Sequence, residues 1–300
     1  MPDPEISLRR LIEGAAGVLE EAGVPSARVD AFTLAEHVLG VDHLVLAMAP
    51  QLPADFAARF AEVVERRRRR EPLQHITGWA PFRHLRLRTR AGVFVPRPET
   101  EVVAEPAINA ARELVRAGHS PLVVDLCCGA GAIALSLAQE APGAVVIALD
   151  ASGPAVELTR ANAAEHGLAV RTVLADVGDD QALAEFNGQV DVVVANPPYI
   201  PPEAVPKEVE VRDYDPDIAL YGGGADGLQI PRAVLTAATR LLRPGGLLVM
   251  EHAEVQADVL RGEVQAGGQF TAVHTEVDLN GRARMVLGTR AGASVADSSS

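Results

Sequence analysis

The stretch that decides the fold is VVDLCCGAGAIAL, residues 123–135. An apolar run typical of a buried strand leads into two glycines, Gly129 and Gly131, and an apolar helical pattern follows them at once. Glycine lets the backbone turn tightly and approach a ligand closely, so this unit predicts a binding loop between a parallel strand and a helix. The glycines come too late for the G-x-G-x-x-G pattern of dinucleotide sites, and Asp125 precedes them. Its carboxylate favours a ligand with a cationic group over one with a pyrophosphate.

Strands and helices alternate on both sides of this loop after residue 120. Apolar runs typical of parallel strands buried on both faces occur at residues 122–126, 145–149, 170–174, 190–195 and 247–250. Helical patterns lie between them at residues 132–139, 154–166 and 230–242. The alternation predicts an open, twisted α/β sheet.

Two more aspartates follow the next two apolar runs, Asp150 in VIALD and Asp176 in VLADV. A carboxylate at the end of the second strand can accept hydrogen bonds from both ribose hydroxyls of a nucleoside. One at the end of the third strand can accept from an adenine amino group. Each aspartate alone could instead cap the helix that follows it. Three aspartates at three successive strand ends, beside a two-glycine loop, favour a nucleoside cofactor.

The N-terminal part of the chain predicts a small helical domain. Apolar residues fall at helical spacing there, and Gly23 and Gly40 interrupt the pattern. We expect Asp42 to start a short third helix through residue 47. A fourth helix is expected to begin near Asp55 and to run into the arginine block at residues 66–70.

Two short alternating runs, residues 82–87 and 92–95, predict a β-hairpin between this helical domain and the sheet. The sequence therefore predicts a helical substrate-recognition domain, a hairpin linker, a cofactor-binding catalytic domain and a disordered tail, at residues 1–74, 75–97, 98–290 and 291–300.

The charge and the cysteines restrict the class of protein. The 300 residues carry a formal net charge of −13, whereas proteins that hold nucleic acid by its phosphates usually carry a basic surplus. The arginine block is interpreted as a solvated helix face, or else as a docking patch for something acidic. The only cysteines, Cys127 and Cys128, are adjacent and are expected to be core filler. With no bilayer-length apolar run and no signal-peptide pattern, we expect a cytoplasmic monomer without a metal, a membrane partner or stable nucleic-acid binding.

A second motif, VVVANPPY at residues 192–199, ends the fourth apolar run with an amide, two prolines and a phenol. A planar amide or aromatic amine is a poor nucleophile because its lone pair is conjugated. Two acceptors that hold both N–H groups, the Asn196 side-chain oxygen and the Pro197 carbonyl, would turn that lone pair toward an electrophile. The prolines make the arc of residues 196–199 rigid, and Tyr199 offers a flat face for a planar group. A plain proline-rich turn is the alternative reading.

At these residues the chain resembles the class I S-adenosylmethionine-dependent methyltransferases, which have a Rossmann-like sheet. The resemblance implies that the glycine loop passes under the methionine part of the cofactor, that Asp150 holds the ribose, and that Asp176 and Val177 meet the adenine. The remaining cofactor-binding residues that it implies are Asp125, Cys127, Cys128, Gly129, Ala130, Gly131 and Asn196. Many members have glycine where this chain has Cys127, so the first turn is less permissive here.

The Asn-Pro-Pro-Tyr motif is similar to that of methyltransferases that modify planar nitrogens, including adenine N6 and protein glutamine N5 enzymes. Over residues 5–289 the chain resembles the peptide chain release factor glutamine methyltransferase family, in its helical domain and in the segments QHITG (74–78), FVPRPETE (94–101) and LYGGGADGL (220–228). The resemblance implies N5-methylation of the glutamine in the Gly-Gly-Gln loop of class 1 release factors, with S-adenosylhomocysteine as the other product.

In that family the substrate glutamine lies against the Asn-Pro-Pro-Tyr arc and a phenylalanine of the hairpin. The resemblance therefore implies that Asn196, Pro197 and Tyr199 are catalytic. The substrate-binding residues that it implies are Phe94, Asn196, Pro197, Pro198 and Tyr199. Arg97 and Glu99 are expected to brace the site entrance or contact the cofactor, or alternatively to form an ion pair that fixes the proline turn.

Other functions stay open at this point. A glutamine of a ribosomal protein would suit the same arc. An adenine or guanine amino group of nucleic acid would also suit it, although the acidic charge and the few aromatic residues argue against that substrate. A non-catalytic cofactor-binding module would not need an intact arc. The chain itself contains Gly-Gly-Gln at residues 267–269, which we interpret as a turn before a strand rather than as a self-methylation site.

Overall fold

The computed structural model describes residues 4–48 and 51–292, with side chains described from Leu8 onward in the first range. Of the tail predicted to be disordered, residues 293–300 lie outside the described part. The chain divides into a helical unit, Met1–Trp79 with Pro206–Tyr214, and a sheet unit, Ala80–Val205 with Asp215–Ser300. The short segment of the helical unit, Pro206–Tyr214, falls inside the region that the sequence assigned to the catalytic domain.

Four helices begin the chain: α1 (Pro4–Glu21), α2 (Ala27–Leu39), α3 (Phe56–Arg68) and α4 (Leu73–Thr77). Apolar residues at helical spacing pack into one core, in which the rings of Phe56 and Phe60 stack with centroids 5.4 Å apart. Gly40 ends α2 in the left-handed conformation, as the sequence predicts.

The third helix predicted from Asp42 is wrong. Only a 3₁₀ turn forms, at Leu46–Met48. The backbone N–H of Leu44 donates instead to the Glu36 carboxylate at 2.9 Å, so it is not available for a helical hydrogen bond.

The hairpin forms, but not from the two predicted runs. Its strands are β1 (Trp79–Phe82) and β2 (Leu85–Arg88), so the first predicted run contains the turn and parts of both strands. The prediction of a strand at residues 92–95 is wrong, although the side chains do alternate between more exposed and buried positions there. The N–H of Val95 points to the Asp215 carboxylate, 3.5 Å away, rather than to a neighbouring strand.

The rest of the chain builds one seven-stranded sheet and the helices that cover it. The strands are β3 (Leu122–Leu126), β4 (Val145–Asp150), β5 (Val170–Leu174), β6 (Val190–Ala195), β7 (Leu242–Glu251), β8 (Phe270–Val277) and β9 (Ala283–Arg290). The helices are α5 (Pro98–Arg116), α6 (Ala132–Glu140), α7 (Gly153–Glu165), α8 (Val209–Tyr214), α9 (Asp217–Leu220), α10 (Gln229–Leu241) and α11 (Ala257–Ala266). Of these, α8 belongs to the helical unit.

The strand order is β5-β4-β3-β6-β7-β9-β8. The first five strands in this order are parallel, and β9 is antiparallel to both of its neighbours. Strands β4 and β5 extend the sheet on one side of β3, whereas β6 and β7 extend it on the other side. Open α/β sheets bind ligands at such a point, here between β3 and β6. The predicted fold class, a Rossmann-like α/β sheet with an N-terminal helical domain, is confirmed.

Successive residues of the central strands enter different cores because side chains alternate across a sheet. Val123, for example, packs with α5 and α6, whereas Val124 packs with α10 and α11. Helices therefore cover both faces, and only the strand ends are left for a site. Among the described helices, none combines the length and the apolar character needed to cross a membrane.

The Gly-Gly-Gln sequence at residues 267–269 has an ordinary structural role. Gly267 caps the end of α11, and Gly268 has the left-handed backbone of a turn, with φ of 62°. The carbonyl of Gln269 then accepts a hydrogen bond from the N–H of Ala291 at 2.8 Å, beside the start of β8.

Candidate active site

Four neighbouring strands end at the same level and bring the predicted residues together. In the sheet register, Leu126 of β3 lies beside Leu149 of β4 and Ala195 of β6, and Ala195 lies beside Met250 of β7. Neighbouring strands are about 4.8 Å apart. The residues that follow these four therefore form one row along the carboxyl edge: Cys127, Asp150, Asn196 and Glu251.

The glycine loop turns through three left-handed residues, Cys127, Gly129 and Gly131, with φ of 63°, 57° and 85°. Gly131 has no room for a side chain, because an added Cβ would lie 2.7 Å from Leu135 Cδ1 and 2.8 Å from Thr159 Cγ2. The Thr159 hydroxyl donates to the Gly129 carbonyl at 2.9 Å. The loop is thus tightly turned and fixed by α7. Cys127 adopts this left-handed backbone conformation although it costs a residue other than glycine about 1–2 kcal/mol.

Asp150 fixes the same loop from the neighbouring strand. Its Oδ2 accepts from the N–H of Gly129 and its Oδ1 from the N–H of Ser152, both at 2.8 Å. Burial raises the pKa of Asp150, and these backbone hydrogen bonds oppose the rise. Each carboxylate oxygen keeps a second lone pair, so the group can still accept from two neighbouring hydroxyls.

Asp125 is almost fully buried beside the loop. Its Oδ2 accepts from the N–H of Ala134 at 3.0 Å, but its Oδ1 is buried without a hydrogen-bond partner. Burial, with a smaller contribution from the charge of Asp150, raises the pKa of Asp125 to about 8. A buried carboxylate oxygen without a partner is what a cationic group would satisfy.

Asp176 and Val177 follow β5 and differ in their surroundings. Asp176 is exposed, and its Oδ1 accepts from the N–H of Gly178 at 2.7 Å. Val177 is buried in the apolar cluster of the α10 side of the sheet. The local hydrogen bond of Asp176 therefore caps the turn that follows β5.

The two cysteines are free thiols without the features of a nucleophile. Burial, with the charges of Asp150 and Asp125, raises the pKa of both thiols well above their ordinary value. The Cys128 sulfur lies 3.6 Å from the Thr159 hydroxyl, inside the packing of the loop.

The Asn-Pro-Pro-Tyr arc follows β6 and is supported by the glycine-rich segment LYGGGADGL. The N–H of Gly222 donates to the carbonyl of Ile200 at 3.0 Å. An added Cβ on Gly222 would lie 2.6 Å from the Pro198 carbonyl oxygen, and one on Gly227 would lie 2.4 Å from the Tyr199 carbonyl oxygen. Because only glycine fits at these two positions, the segment packs directly against the backbone of the arc.

A chain of hydrogen bonds holds the two polar side chains of the arc. Asn196 Nδ2 donates to Thr100 Oγ1 at 3.1 Å, and the Thr100 hydroxyl donates to Glu251 Oε2 at 2.9 Å. The Tyr199 hydroxyl donates to Glu251 Oε1 at 3.2 Å. Thr100 and Glu251 are only 4% and 3% exposed. The arc is therefore fastened to α5 and β7 through buried polar groups.

The hydrogen bonds of the arc leave two acceptors available. Within residues 4–48 and 51–292, no group donates to the side-chain oxygen of Asn196 or to the carbonyl of Pro197. The carbonyl of Tyr199, in contrast, accepts from Gln256 Nε2 at 2.8 Å. The Asn196 side-chain oxygen and the Pro197 carbonyl oxygen therefore remain available as acceptors.

Phe94 belongs to a segment that passes beside the glycine loop. The preceding residue, Val93, packs in a small buried cluster with Ala130 of the loop and with Ala155 of α7. Phe94 itself is half-buried.

Arg97 forms an ion pair, but with Asp215 and not with Glu99. Its guanidinium also lies 5.1 Å from the centre of the Phe94 ring, within the range of a cation–π contact. Glu99 is exposed in the first turn of α5, where a negative charge suits the helix dipole. Arg97 and Glu99 therefore do not form the ion pair with each other that the alternative expected.

The sequence did not single out three polar residues of this region, namely Thr100, Asp215 and Glu251. For Glu251 a signal was present, because it follows the apolar run 247–250 as Asn196 follows the run 190–195. No spacing rule points to Thr100 or Asp215, whose partners are far away in the chain.

The residues present fit S-adenosylmethionine. The unpaired Asp125 oxygen could take its ammonium group, and the Asp150 carboxylate could take the ribose hydroxyls. Gly131 lets the loop pack tightly against Leu135 and Thr159 beside these two groups. The described residues contain no group of His, Cys, Asp and Glu side chains suited to a metal ion.

Comparison with known families matches two segments of the chain. The family described as PrmC N-terminal domain matches residues 10–78, and the family described as Methyltransferase small domain matches residues 86–212. The predicted S-adenosylmethionine-dependent methyltransferase class is confirmed.

Curated relatives match almost the whole chain. Proteins named Release factor glutamine methyltransferase are 46% identical in Streptomyces coelicolor, 44% in Mycolicibacterium smegmatis and 42% in Bifidobacterium longum. These alignments cover 91%, 94% and 92% of this chain and 94%, 98% and 97% of the relatives. Among solved structures, the T. thermophilus 16S rRNA N2 G1207 methyltransferase in complex with AdoMet and guanosine is 22% identical, with a TM-score of 0.49, over 71% of this chain and 49% of its own.

Proposed function

The chain belongs to the release factor glutamine methyltransferase family, and we propose that it methylates the side-chain amide nitrogen (N5) of the glutamine in the Gly-Gly-Gln motif of class 1 peptide chain release factors. The methyl donor is S-adenosylmethionine. The enzyme acts in the cytoplasm as a monomer, with the release factor as its protein partner and without stable binding to nucleic acid.

The observation that carries this proposal is the pair of available oxygens on the arc, Asn196 Oδ1 and the Pro197 carbonyl, next to the strand that bears the glycine loop. A primary amide has two N–H groups, so the two oxygens can hold it in one orientation. When bound, S-adenosylmethionine supplies a methyl carbon that is electrophilic because it is attached to a sulfonium. The arc then acts by positioning and by fixed dipoles rather than as a strong base.

Other residues of the site have supporting roles in this proposal. Asp125, Asp150 and the loop residues 127–131 hold the cofactor, with Asp176 and Val177 at the adenine. Tyr199 and Pro198 line the planar substrate amide together with Phe94, whose ring is held by Arg97.

The substrate assignment is tested by offering labelled S-adenosylmethionine with unmethylated release factor, ribosomal proteins and RNA in separate reactions. We expect label on the release factor, located by mass spectrometry on the glutamine of Gly-Gly-Gln. The matched control is a release factor in which that glutamine is asparagine, which should take no label. Label on a ribosomal protein or on RNA, with none on the release factor, would overturn the proposal.

The assigned roles separate in two variants of the enzyme. Asn196→Ala should lower kcat about 10²- to 10³-fold, as removal of one preorganised dipole does elsewhere, and should leave cofactor affinity near that of the wild type. Asp150→Ala should raise the cofactor dissociation constant about 10- to 100-fold, since hydrogen bonds to a charged group contribute about 1.5–3 kcal/mol. Isothermal titration and steady-state kinetics measure both quantities. Loss of cofactor binding alone in both variants would remove the role given to Asn196.

A further inference from the structure

We propose that Glu251 is a positioning residue that determines, through the Thr100 hydroxyl, which end of the Asn196 side-chain amide faces the substrate. This inference rests on the proposed function and adds to it the part of the protein that orients the acceptor. We call the chain of groups Asn196–Thr100–Glu251 the relay.

The hydrogen bonds of the relay are continuous, and two of its three residues, Thr100 and Glu251, are buried. Asn196 Nδ2 lies 3.1 Å from Thr100 Oγ1, and Thr100 Oγ1 lies 2.9 Å from Glu251 Oε2. The other carboxylate oxygen, Oε1, is 3.2 Å from the Tyr199 hydroxyl. Thr100 lies in α5, Asn196 directly follows β6 and Glu251 ends β7, and the register of β6 and β7 brings Asn196 and Glu251 side by side.

The direction of every hydrogen bond in the relay follows from the charge of Glu251. An ionised carboxylate only accepts, so the hydroxyls of Thr100 and Tyr199 must both donate to it. Thr100 has a single hydroxyl proton, and once that proton is used its oxygen can only accept from Asn196. The side-chain NH₂ of Asn196 therefore turns toward Thr100, and its oxygen turns away, free to accept from a substrate N–H.

Protonation of Glu251 reverses this order. A carboxylic acid donates one hydrogen bond, and in the proposed protonated state it donates to the Thr100 oxygen, which frees the Thr100 hydroxyl proton to point toward Asn196. The Asn196 amide then has to rotate so that its oxygen accepts from Thr100. Its NH₂ group now faces the NH₂ group of the substrate, and two donors cannot bond to each other.

Charged and titratable groups from several elements surround Glu251. Burial raises the pKa of Glu251 to about 7, Thr100, Arg284 of β9 and Tyr199 oppose the rise, and Glu99 of α5 adds to it. Arg284 is itself paired with Asp278 at 3.0 Å. The adjacent His252 is buried, and burial lowers its pKa, so it does not add a positive charge near neutral pH. With this pKa of about 7, the proposed relay changes between its two states near neutral pH.

The relay is tested first by kinetics with Thr100→Val, which keeps the shape of the side chain and removes the hydroxyl. Wild-type kcat should fall about tenfold per pH unit below about pH 7, as expected for one required ionisation. Thr100→Val should lower kcat about 10- to 100-fold at pH 8 and should abolish the pH dependence near 7. The KM for the release factor and the cofactor dissociation constant should change little, because the variant alters orientation in the reacting complex.

Two further variants make the test specific. Thr100→Ser restores a hydroxyl and should recover most of the turnover and the pH dependence that Thr100→Val loses. Glu251→Gln cannot ionise, and its kcat should be reduced and constant between about pH 6 and 8. A Thr100→Val enzyme with wild-type kcat and pH profile would overturn the relay.

A spectroscopic readout separates this inference from the proposed function. In ¹⁵N-labelled enzyme without substrate, the side-chain NH₂ resonances of Asn196 should shift with pH near 7, and they should not shift in Glu251→Gln or Thr100→Val. This result is independent of which protein or nucleic acid accepts the methyl group. Asn196 resonances that titrate equally in all three proteins would refute the relay even if the release factor proves to be the substrate.

Discussion

Asp125 lies beside the glycine loop with one carboxylate oxygen hydrogen-bonded and the other buried without a partner. Since burial raises its pKa to about 8, the group keeps its proton at neutral pH in the cofactor-free protein. A bound ammonium group would favour the ionised form. Asp125 therefore lowers the stability of the cofactor-free protein, and it provides an oxygen that can bind a cation.

This exchange predicts a pH dependence of stability for the cofactor-free protein. In the unfolded chain an aspartate has a pKa near 3.9 and is ionised at neutral pH, whereas the folded protein keeps the Asp125 proton up to about pH 8. The folded state thus binds more protons, and the free energy of unfolding should fall as pH rises from about 6 to 8. Asp125 should contribute up to about 1.4 kcal/mol per pH unit to this fall. Urea unfolding at a series of pH values measures the slope.

Asp125→Asn removes the titrating group and is the decisive comparison. Its slope between about pH 6 and 8 should be shallower than that of the wild type, and the remaining slope includes the contribution of Glu251. Asp176→Asn, at an exposed aspartate of the same edge, should keep the wild-type slope. Parallel wild-type and Asp125→Asn curves would contradict the assignment.

The sequence predicts individual site residues where a polar residue ends an apolar run. Asp150 and Asn196 satisfy that rule, and Glu251 satisfies it equally well although it was not singled out, whereas Asp125 lies one residue before the end of its run. Thr100 is different. It lies 96 positions from its partner Asn196, and only the packing of α5 against the sheet brings the two together. A rule based on residues that are close together in the sequence cannot identify such a contact.

At the scale of elements, the active arc is a short loop whose shape is imposed by a second loop. The glycine-rich segment LYGGGADGL packs against the carbonyls of Pro198 and Tyr199 at distances that exclude a Cβ at Gly222 and Gly227. Gln256 adds a hydrogen bond to the Tyr199 carbonyl at 2.8 Å. The prolines restrict the dihedral angles of the arc, while this packing fixes its position.

Gly227→Ala should therefore displace the arc. The new Cβ would lie 2.4 Å from the Tyr199 carbonyl oxygen and 2.7 Å from the Pro201 nitrogen, and neither backbone atom can move alone. We expect kcat to fall about 10²-fold or more, since a displacement near 1 Å of a catalytic group has that effect. Cofactor affinity should change little, because the glycine loop is a separate element. Steady-state kinetics and titration calorimetry provide the two numbers.

Gly224→Ala is a matched control in the same segment. Gly224 also has a positive φ, 67° against 74° for Gly227, so the conformational strain of alanine is similar. An added Cβ at Gly224 meets no backbone atom closer than 4.0 Å. Equal losses of kcat in the two variants would mean that the backbone strain of alanine at a positive φ is responsible, and not a steric displacement of the arc.

Strands could be predicted from the sequence where a continuous apolar run is compatible with only one kind of secondary structure. The five parallel strands were predicted from such runs. The alternating run at residues 92–95 did not form a strand, because Asp215, from a distant part of the chain, provides the partner of the Val95 N–H. An alternating pattern indicates which side chains are buried, and Val93 and Val95 are indeed buried. The pattern does not indicate which groups form hydrogen bonds with the backbone.

At the scale of the whole molecule, the helical unit is assembled from two separate parts of the chain. Arg67 of α3 is 5% exposed and pairs with Asp30 of α2 at 2.7 Å and with Glu210 of α8 at 2.8 Å. Arg70 binds the other oxygen of Glu210 at 2.6 Å. The arginine block interpreted from the sequence as a solvated face is therefore partly buried, and it holds the segment Pro206–Tyr214 in the helical unit.

Arg67→Ala should destabilise the helical unit strongly. It leaves the carboxylate of Asp30, which is 3% exposed, without its buried partner. Removing one member of a buried ion pair costs about 3–5 kcal/mol. We expect a lower unfolding midpoint in urea, followed by circular dichroism at a helix-sensitive wavelength.

The neighbouring Arg68 provides the comparison. It pairs with Glu65 on the same helix, and both side chains are exposed. Arg68→Ala should unfold close to the wild-type midpoint, because an exposed pair within one helix contributes little. A similar loss in both variants would show that the effect comes from the helix propensity of α3 and not from the buried pair.

The division of the helical unit between Met1–Trp79 and Pro206–Tyr214 has a consequence for biosynthesis. When a ribosome has released the first helices, Glu210 has not yet been made, and Arg67 and Arg70 lack their shared carboxylate. Strands β3 to β6 and the Asn-Pro-Pro-Tyr arc must be translated before that partner emerges. The N-terminal unit of a growing chain therefore reaches its full set of contacts only after strands β3 to β6 have been made, while the sheet unit still lacks β7, β8 and β9 when Glu210 emerges.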